Sequence, residues 1–355
     1  MDGITWQEYE KDIDLNLKKL YEKIQNGAYR PKPARRVPIP KAGGSERLIS
    51  IQCVEDKVVQ QAFVFLLNKI YEIDFQGFSY GFRPGRNQHN ALDALHVGLM
   101  SKKLNWVLDL DIVKYFDRVN HDWLIRFLQH RIKDKRVIRM IQKWLKVGYL
   151  DEKGRRITSR IGTPQGSVIS PLLSNVYLHY VYDLWCKQWR KRCSTGDMIV
   201  IRYADDSVLA FQHQSDAKRF LTELENRMEH FGLELHREKT KFIRFGRFAN
   251  ARNKERGYGK SPTFEFLGFT HYCGTTRKSG KFMVWRKTSK KRMNKRLKEL
   301  RIELMKRRHR PIQETAEWLK SILQGHYNYF GVPGNISSMS LFAYELNKAW
   351  YRSLC

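Results

Sequence analysis

The stretch MIVIRYADDSVLAF, residues 198–211, decides the fold of this chain. Two short apolar runs flank Ala204, Asp205 and Asp206, a pattern typical of a β-hairpin with an acidic turn. Adjacent carboxylates on such a turn repel each other, and a divalent cation such as Mg²⁺, which prefers oxygen ligands, relieves the repulsion. Alone this is a weak signal, because aspartate also favours turns through local hydrogen bonds.

A second acidic strand end strengthens the prediction of a metal site. Residues 105–111, NWVLDLD, are apolar, β-rich and too short for a stable helix, and Asp111 ends the run. A neighbouring strand can carry this carboxylate to the tip of the hairpin, where three carboxylates can hold two metal ions for in-line phosphoryl transfer. Asp109 competes for this role because it lies on the same strand face, and Asp117 is a further alternative. We prefer Asp111, since Asp109 lies about 7 Å further back along the strand.

The charge of the chain indicates a polyanionic partner. The 355 residues include 66 Lys and Arg against 36 Asp and Glu, which gives a net charge of +30. Such an excess favours nucleic acid over a membrane surface. The longest apolar runs, such as AFVFLL at residues 62–67, are far too short to span a bilayer, so no membrane partner is expected.

A basic helix is predicted after residue 240, where residues 241–310 carry +19 of the net charge. Within them Met293, Leu297, Leu300 and Leu304 form one apolar stripe with helical spacing, and basic residues occupy the other faces. Charge runs are usually solvated surface, but the near absence of acidic residues here favours contact with a phosphate backbone. The candidate nucleic-acid-binding residues are Lys290, Lys291, Lys295 and Lys298.

Cysteine usage and the N-terminus predict a cytoplasmic location. The five cysteines form no CxxC pair, and no histidine cluster has zinc spacing, so neither a disulfide framework nor a zinc module is expected. The first residues, MDGITWQEYEKD, are acidic and lack the apolar region of a secretion signal.

Periodicity predicts the remaining elements in outline. A glycine-rich loop, GFSYGFRPGR, is expected at residues 77–86, and residues 274–280 are expected to turn a hairpin. Helices are predicted at residues 54–72, 87–99, 121–132, 135–147, 170–192 and 217–231, and further strands at 240–245, 264–272 and 281–285.

In order along the chain, these motifs resemble those of reverse transcriptases, and in detail those of the bacterial group II intron reverse transcriptase/maturase family. Seven blocks in the family's order, spread over almost the whole chain, are a specific signal. They are YRPKPARRVPIPKAGGSERLISI (29–51), GFSYGFRPGRNQHNALDAL (77–95), DIVKYFDRVNHDWL (111–124), GTPQGSVISPLLSNVYLHYV (162–181), RYADD (202–206), GLELHREKTKFIRFG (232–246) and FEFLGF (264–269). The segment WLKSILQGHYNYFGVPGN (318–335) resembles the family's maturase domain.

This resemblance implies an α+β fold shaped as a right hand, with helical fingers, a palm whose antiparallel sheet bears the carboxylates, and a helical thumb. It places the fingers at residues 1–104 and the palm at 105–272, with finger-like helices inserted at 121–148. Residues 273–355 would form the thumb and part of the maturase domain. Relative to the family, the N-terminal extension and the C-terminal DNA-binding and endonuclease regions are expected to be lacking.

The resemblance also implies roles for matched residues. Asp111, Asp205 and Asp206, with the carbonyl of Ile112, would hold two Mg²⁺ ions, with Mn²⁺ as the alternative ion. Phe116 would lie under the sugar of the incoming nucleotide as a steric gate, although it could equally be a core aromatic. The other matched residues are Lys41 and Arg47 at the triphosphate, Gln165 and Gly166 at the template or primer, and Lys239 near the pyrophosphate leaving group.

The implied function is that of an RNA-directed DNA polymerase of a group II intron-like retroelement. It would copy an RNA template into cDNA from dNTPs on a DNA or RNA primer. The acidic residues favour this enzyme over a non-catalytic or bifunctional maturase that assists splicing of a structured intron RNA. A reverse transcriptase recruited to phage defence is a further alternative, and the bulky Phe116 disfavours an RNA-dependent RNA polymerase.

Overall fold

The computed structural model of the protein describes residues 3–40, 46–151, 154–158, 160–255, 257 and 261–354. The helices in these ranges are α1 (Trp6–Lys11), α2 (Ile13–Gln25), α3 (Val54–Tyr71), α4 (Gln88–Ser101), α5 (Tyr115–Arg118), α6 (His121–Arg131), α7 (Lys135–Lys146), α8 (Ser170–Leu178), α9 (Leu184–Arg192), α10 (Gln214–His230), α11 (Ala249–Glu255), α12 (Lys290–Arg307), α13 (Ile312–Phe330) and α14 (Ile336–Leu354). The strands are β1 (Ala34–Pro40), β2 (Glu46–Ile51), β3 (Trp106–Leu110), β4 (Tyr149–Leu150), β5 (Arg156–Ile157), β6 (Met198–Tyr203), β7 (Asp206–Phe211), β8 (Lys241–Arg244), β9 (Phe264–Phe266), β10 (Phe269–Thr275) and β11 (Phe282–Thr288).

A four-stranded antiparallel sheet of order β6-β7-β3-β8 lies at the centre of the molecule. Strands β6 and β7 form the predicted hairpin, and β3 is inserted between β7 and β8 although it precedes them by about a hundred residues. The predictions of strands at residues 105–111 and 240–245 are therefore confirmed. The order of the strands brings the end of β3 to the hairpin turn.

Both faces of this sheet are buried, which explains why its strands are almost continuously apolar. On one face, Leu108, Val200 and Leu209 join a core built with α3, α6, α7, α8 and α10. On the other, Val107, Ile201 and Val208 pack with α4 and with strands β9–β11. The alternation of residues between two cores fixes which way each side chain of β3 and β7 points.

The predicted helix at residues 170–192 is helical throughout but is not a single α-helix. A π-helical turn, His179–Asp183, separates α8 from α9, and the amide of Leu184 bonds to the carbonyl of His179. A π turn adds one residue to a helical turn, and the apolar periodicity of a buried helix does not reveal it. Tyr182 and Asp183 are both buried in this turn.

A second sheet, of order β2-β1-β4-β5, lies on the N-terminal side of the chain. Strands β1 and β2 form an antiparallel hairpin, and β4 pairs in parallel with β1 after the confirmed helices α6 and α7. The third sheet has the order β11-β10-β9. Strands β9 and β10 replace the single strand predicted at residues 264–272, because Leu267 and Gly268 turn the chain with φ values of 47° and 87°.

Helices α12, α13 and α14 form a separate helical unit with its own core. The predicted apolar stripe of α12 is buried against Leu319, Phe342 and Leu346 of the other two helices. The apolar spacing of α12 thus serves packing between helices, and its charged residues lie on the remaining faces. No helix in the described ranges has the length and apolar character needed to cross a membrane.

Candidate active site

The turn between β6 and β7 presents Asp205 and Asp206 at one end of the central sheet. Ala204 has a φ of 57°, a left-handed conformation that is uncommon for a residue with a side chain. Gly81 of the glycine-rich loop lies directly against it, since a Cβ atom at Gly81 would lie 2.3 Å from the amide nitrogen of Ala204. The turn is therefore held by a neighbouring loop and is not free to rearrange on its own.

The register of β3 and β7 brings Asp111 to this turn. Leu110 is paired with Ser207, so the next residue of each strand places Asp111 opposite Asp206. Directly opposed residues of an antiparallel pair have Cβ atoms about 4.5–5.5 Å apart. Asp109 is paired with Val208, one step further back, and the side chain of Asp117 is exposed in α5.

The carboxylates influence one another electrostatically. Partial desolvation, followed by the charges of Asp205 and Asp111, raises the pKa of Asp206 to about 6, even though this side chain is exposed. Burial raises the pKa of Asp109 to about 7, against the opposing effect of Lys241. A bound cation would lower the pKa of Asp206, because it favours the charged carboxylate.

Asp205 and Ile112 both line a small cavity, together with Arg202 and Ser207. Ile112 forms an isolated antiparallel bridge with Leu235, whose hydrogen bonds are made by the flanking residues. In such a bridge the carbonyl of the central residue points to the opposite side of the strand. The Ile112 carbonyl is therefore directed away from Leu235.

Lys239 reaches the acidic residues from the segment that precedes β8. Its Nζ atom lies 2.8 Å from Oδ2 of Asp111, and both side chains are solvent-accessible. As they are placed, the aspartate, glutamate, histidine and cysteine side chains in the described ranges form no cluster of three or more that could hold an ion. The donor set itself, three carboxylates and a carbonyl, has the hard oxygen chemistry that Mg²⁺ requires.

Phe116 lies in the short helix α5, five residues after Asp111. The side chain is partly buried, and its ring makes an edge contact with Tyr115, at 5.4 Å between centroids. Its carbonyl accepts a hydrogen bond from the amide of Thr163, at 2.7 Å. The predicted sugar-contacting segment and the loop that contains Gln165 are thus joined through their backbones.

The loop around Gln165 is also tied to β2. The Gln165 carbonyl accepts a hydrogen bond from the amide of Ser50, at 2.6 Å. Gly166 has a φ of 100°, and a Cβ atom there would lie 2.7 Å from the carbonyl oxygen of Ser50. A close approach of β2 is therefore sufficient reason for glycine at this position, independently of the predicted contact with nucleic acid.

Two sets of predicted residues remain, the two triphosphate contacts and the four lysines of α12. Lys41 is outside the described residues, and Arg47 is described only by its backbone position in β2, paired with Ile39. The four lysines of α12 are all exposed. They are Lys290, Lys291, Lys295 and Lys298, and Lys295 also forms an exposed ion pair with Glu299.

Sequence reasoning missed Arg202 and Asp183, a fully buried ion pair directly below the turn. Their side chains are 1% and 0% exposed. Removing one partner of a buried pair typically costs about 3–5 kcal/mol, because the other charge is left uncompensated. The available signal was a lone arginine within the apolar strand MIVIRY, which a strand buried on both faces does not tolerate without a partner.

Arg292 of α12 was also missed, and it links the basic helix to the acidic turn. Its guanidinium lies close to Gly268, where the Nη1 atom is 3.1 Å from the position of a Cβ atom. Its positive charge acts to lower the pKa of Asp206. The first turn of α12 is therefore near enough to the carboxylates to affect them.

An α+β fold with an antiparallel sheet, helices on both faces and opposed carboxylates at the end of two adjacent strands defines a right-hand nucleic-acid polymerase. The profile described as reverse transcriptase (RNA-dependent DNA polymerase) matches residues 39–271, so the chain belongs to the reverse transcriptase family. Its relatives include proteins encoded by group II introns, and the predicted group II intron reverse transcriptase/maturase family is confirmed.

Among curated relatives, Protein YkfC of Escherichia coli (strain K12) is 34% identical, over 59% of this chain and 62% of that protein. Group II intron-encoded protein LtrA of Lactococcus lactis subsp. cremoris is 38% identical, over 46% of this chain and 27% of that protein. The chain thus corresponds to less than two-thirds of the length of each of these relatives.

Solved structures support the fold. Apo telomerase from Candida tropicalis has a TM-score of 0.53 at 13% identity, over 68% of this chain and 47% of that chain. Telomerase from Candida albicans, in complex with a TWJ fragment of telomeric RNA, has a TM-score of 0.56 at 12% identity, over 98% and 59% of the two chains. The predicted right-hand polymerase fold is therefore confirmed.

Proposed function

We propose that this chain is an RNA-directed DNA polymerase that extends a primer on an RNA template with dNTPs. The observation that carries the proposal is that Asp111, after β3, lies opposite Asp206, the turn residue that follows Asp205. This arrangement occurs within a reverse transcriptase fold. Catalysis of nucleotidyl transfer depends mainly on positioning and on stabilisation of developing charge, and a rigid acidic turn suits both.

The three carboxylates and the Ile112 carbonyl would hold the metal ions, and Mg²⁺ fits this donor set, with Mn²⁺ as the alternative. When bound, a pair of such ions supplies a more nucleophilic primer 3′-hydroxyl and neutralises charge on the phosphates. Lys239 pairs with Asp111 in the free protein. We propose that Lys239 turns from this carboxylate to the pyrophosphate leaving group when substrate is bound.

Phe116 and the loop around Gln165 would bind the incoming nucleotide and its template partner. The hydrogen bond between Thr163 and Phe116 supports this assignment, because it fixes the distance between the two segments. Lys41 and Arg47 would bind the triphosphate. A side chain as large as phenylalanine beneath the sugar would exclude a 2′-hydroxyl, so dNTPs are the proposed substrates.

Residues 1–104 and the insertion at 121–148 would act as fingers, 105–272 as the palm and 273–355 as the thumb with part of a maturase domain. The pairing of β4 with β1 supports grouping the insertion with the fingers, since it joins the end of the inserted helices to the N-terminal sheet.

The exposed lysines of α12 would bind the template–primer backbone. A structured intron RNA is a further proposed partner, and the free thiols of the described cysteines suit a cytoplasmic location.

The test is Asp205→Asn, which keeps the shape of the side chain and removes its charge. Primer extension on poly-rA with oligo-dT should fall by several orders of magnitude, because two-metal stabilisation lowers the activation barrier by several kcal/mol. Binding of the template–primer and the unfolding temperature should change little. Asp14→Asn, at an exposed position of α2, is the matched control and should retain parental activity. Extension by Asp205→Asn near the parental rate would show that the assigned centre is wrong.

A further inference from the structure

The guanidinium of Arg202 uses all five of its N–H donors inside the protein. It donates to both carboxylate oxygens of Asp183, at 2.7 and 2.5 Å, and to Oγ of Ser79, at 2.7 Å. It also donates to Oδ1 of Asn175, at 3.1 Å, and to the carbonyl oxygen of Ala204, at 2.8 Å. The four side chains involved are 0–1% exposed, so water does not substitute for any of these contacts.

One of these acceptors belongs to the acidic turn itself. Ala204 is the turn residue with positive φ, and its carbonyl directly precedes Asp205. A left-handed conformation of a residue with a side chain persists only where its surroundings hold it. Arg202 donates a hydrogen bond to this carbonyl, and Gly81 lies close to the amide nitrogen of the same residue. The glycine-rich loop joins the same network, because Asn175 donates to the Gly81 carbonyl at 2.8 Å.

The π-helical turn contacts both strands that flank the acidic residues. Asp183 binds Arg202 at the end of β6, and the hydroxyl of Tyr182 lies 2.6 Å from Oγ of Ser207 at the start of β7. A regular α-helix separates successive side chains by about 100°. The wider π turn is the local change that brings two adjacent residues against the sheet.

Stability alone does not account for a buried ion pair at this position. A pair of apolar residues of similar volume is commonly as stable or more stable than a buried salt bridge. What an apolar pair cannot do is bind several acceptors in one plane, which the fork of a guanidinium does. The feature that needs explanation is therefore the hydrogen bond from Arg202 to the Ala204 carbonyl of the turn.

We propose that Arg202, fixed by Asp183, is a positioning residue that sets the directions of the Asp205 and Asp206 carboxylates through the Ala204 carbonyl. This inference rests on the proposed polymerase centre. Arg202 is 1% exposed, and its donors are all used within the protein. Its effect is exerted through the backbone of the turn, so its loss should lower the catalytic rate and the affinity for metal more than it lowers substrate binding.

The test compares Arg202→Lys with Arg286→Lys. Lysine keeps the positive charge opposite Asp183 but cannot bind five acceptors at once. Arg286 is the matched control, since it is also a buried arginine in a strand, 8% exposed, with an ion pair of 2.8 Å to Asp93, and it lies outside the acidic turn. For each variant, kcat and KM of primer extension are measured, and Mn²⁺ binding to the protein without nucleic acid is measured by electron paramagnetic resonance.

Arg202→Lys should lower kcat by about 10- to 100-fold and weaken Mn²⁺ binding by a similar factor, as loss of residues that orient metal ligands commonly does. The KM for dNTP should change by no more than about twofold, because Arg202 contributes no uniform binding to substrate. Arg286→Lys should leave kcat per folded molecule and Mn²⁺ affinity at parental values. The double variant Arg202→Met/Asp183→Leu removes both charges, should fold, and should show the same losses as Arg202→Lys.

Parental kcat and Mn²⁺ affinity in a folded Arg202→Lys or double variant would overturn the inference, as would equal losses in Arg286→Lys. A parental protein that does not extend a primer would refute the proposed function instead. The Mn²⁺ measurement still decides the inference in that case, since it does not depend on polymerisation.

Discussion

The acidic turn and the basic helix α12 are both charged, but they are built in opposite ways. The turn has two carboxylates, and it is held by Gly81 from another segment and by Arg202 of β6, which is itself paired with Asp183 of the π-helical turn. Helix α12 carries its lysines on exposed faces, and its apolar stripe packs against α13 and α14. The proposed catalytic role of the turn depends on the position of each atom, whereas the proposed binding role of α12 depends on the sum of its charges.

This difference predicts how each region responds to mutation. A small displacement of the turn should affect the reaction strongly, because catalysis depends on the geometry of the reacting groups. Loss of one lysine from α12 should change binding in proportion to its single phosphate contact. Arg292 lies where the two regions meet, so it belongs to both.

Among variants outside the carboxylates, the largest effect is expected for Gly81→Ala, which adds one methyl group against the turn. A Cβ atom there would lie 2.3 Å from the backbone nitrogen of Ala204, so the turn or the loop must move. A displacement near 1 Å can lower the rate by about 100-fold. The control is Gly77→Ala in the same loop, whose added Cβ atom meets no atom within 4 Å. Primer extension per folded molecule is the measurement, and equal rates for the two variants would refute the close-approach argument.

A smaller effect, on selectivity, is expected for Phe116→Ala. Removal of the ring should open space for a 2′-hydroxyl, so the ratio of kcat/KM for dGTP over GTP should fall by about tenfold or more. The absolute rate with dGTP should also fall, since the ring packs against Tyr115 and supports the segment after Asp111. If Phe116 is only a core residue, activity and stability should fall together while the ratio remains at the parental value.

The smallest effect per residue is expected in α12. Replacement of Lys290, Lys291, Lys295 and Lys298 by glutamine should weaken template–primer binding and reduce its salt dependence. Each lost phosphate contact should lower the slope of log K against log salt by roughly 0.7–0.9. The matched control removes four exposed lysines elsewhere, namely Lys11, Lys18, Lys19 and Lys218. Equal slopes for the two quadruple variants would show that α12 contributes only general charge.

The elements could be predicted from the sequence wherever a local pattern dictates them. The hairpin at residues 198–211 follows from two short apolar runs around an acidic turn, and the stripe of α12 follows from a period of three to four residues. The strand predicted at 264–272 was wrong in one respect, because the turn at Leu267 and Gly268 interrupts an otherwise apolar run. The hairpin of β1 and β2 was not predicted, since proline and basic residues obscure its alternation.

The surroundings of the candidate site could be predicted only in part. The motif order identified Asp111, Asp205 and Asp206, and their roles remain predictions. The contacts of Gly81 with Asn175 and with Ala204 join segments about a hundred residues apart, and the pair of Asp183 with Arg202 spans 19 residues. Periodicity reports neither. An arginine in an apolar strand and an aspartate in a buried helix are each visible in the sequence. Only the fold shows that they form a pair.

The insertion of β3 between β7 and β8 has a consequence for biosynthesis. During translation Asp111 leaves the ribosome long before the strands that flank it, because β7 ends at Phe211 and β8 at Arg244. Strands so far apart in the sequence pair slowly, because a long loop must close before any contact between them contributes stability. Until then the exposed edges of β3 are open to pairing with other chains. The nascent polypeptide must therefore emerge through residue 244 before its central sheet can close, and chaperones that shield strand edges would act in that interval.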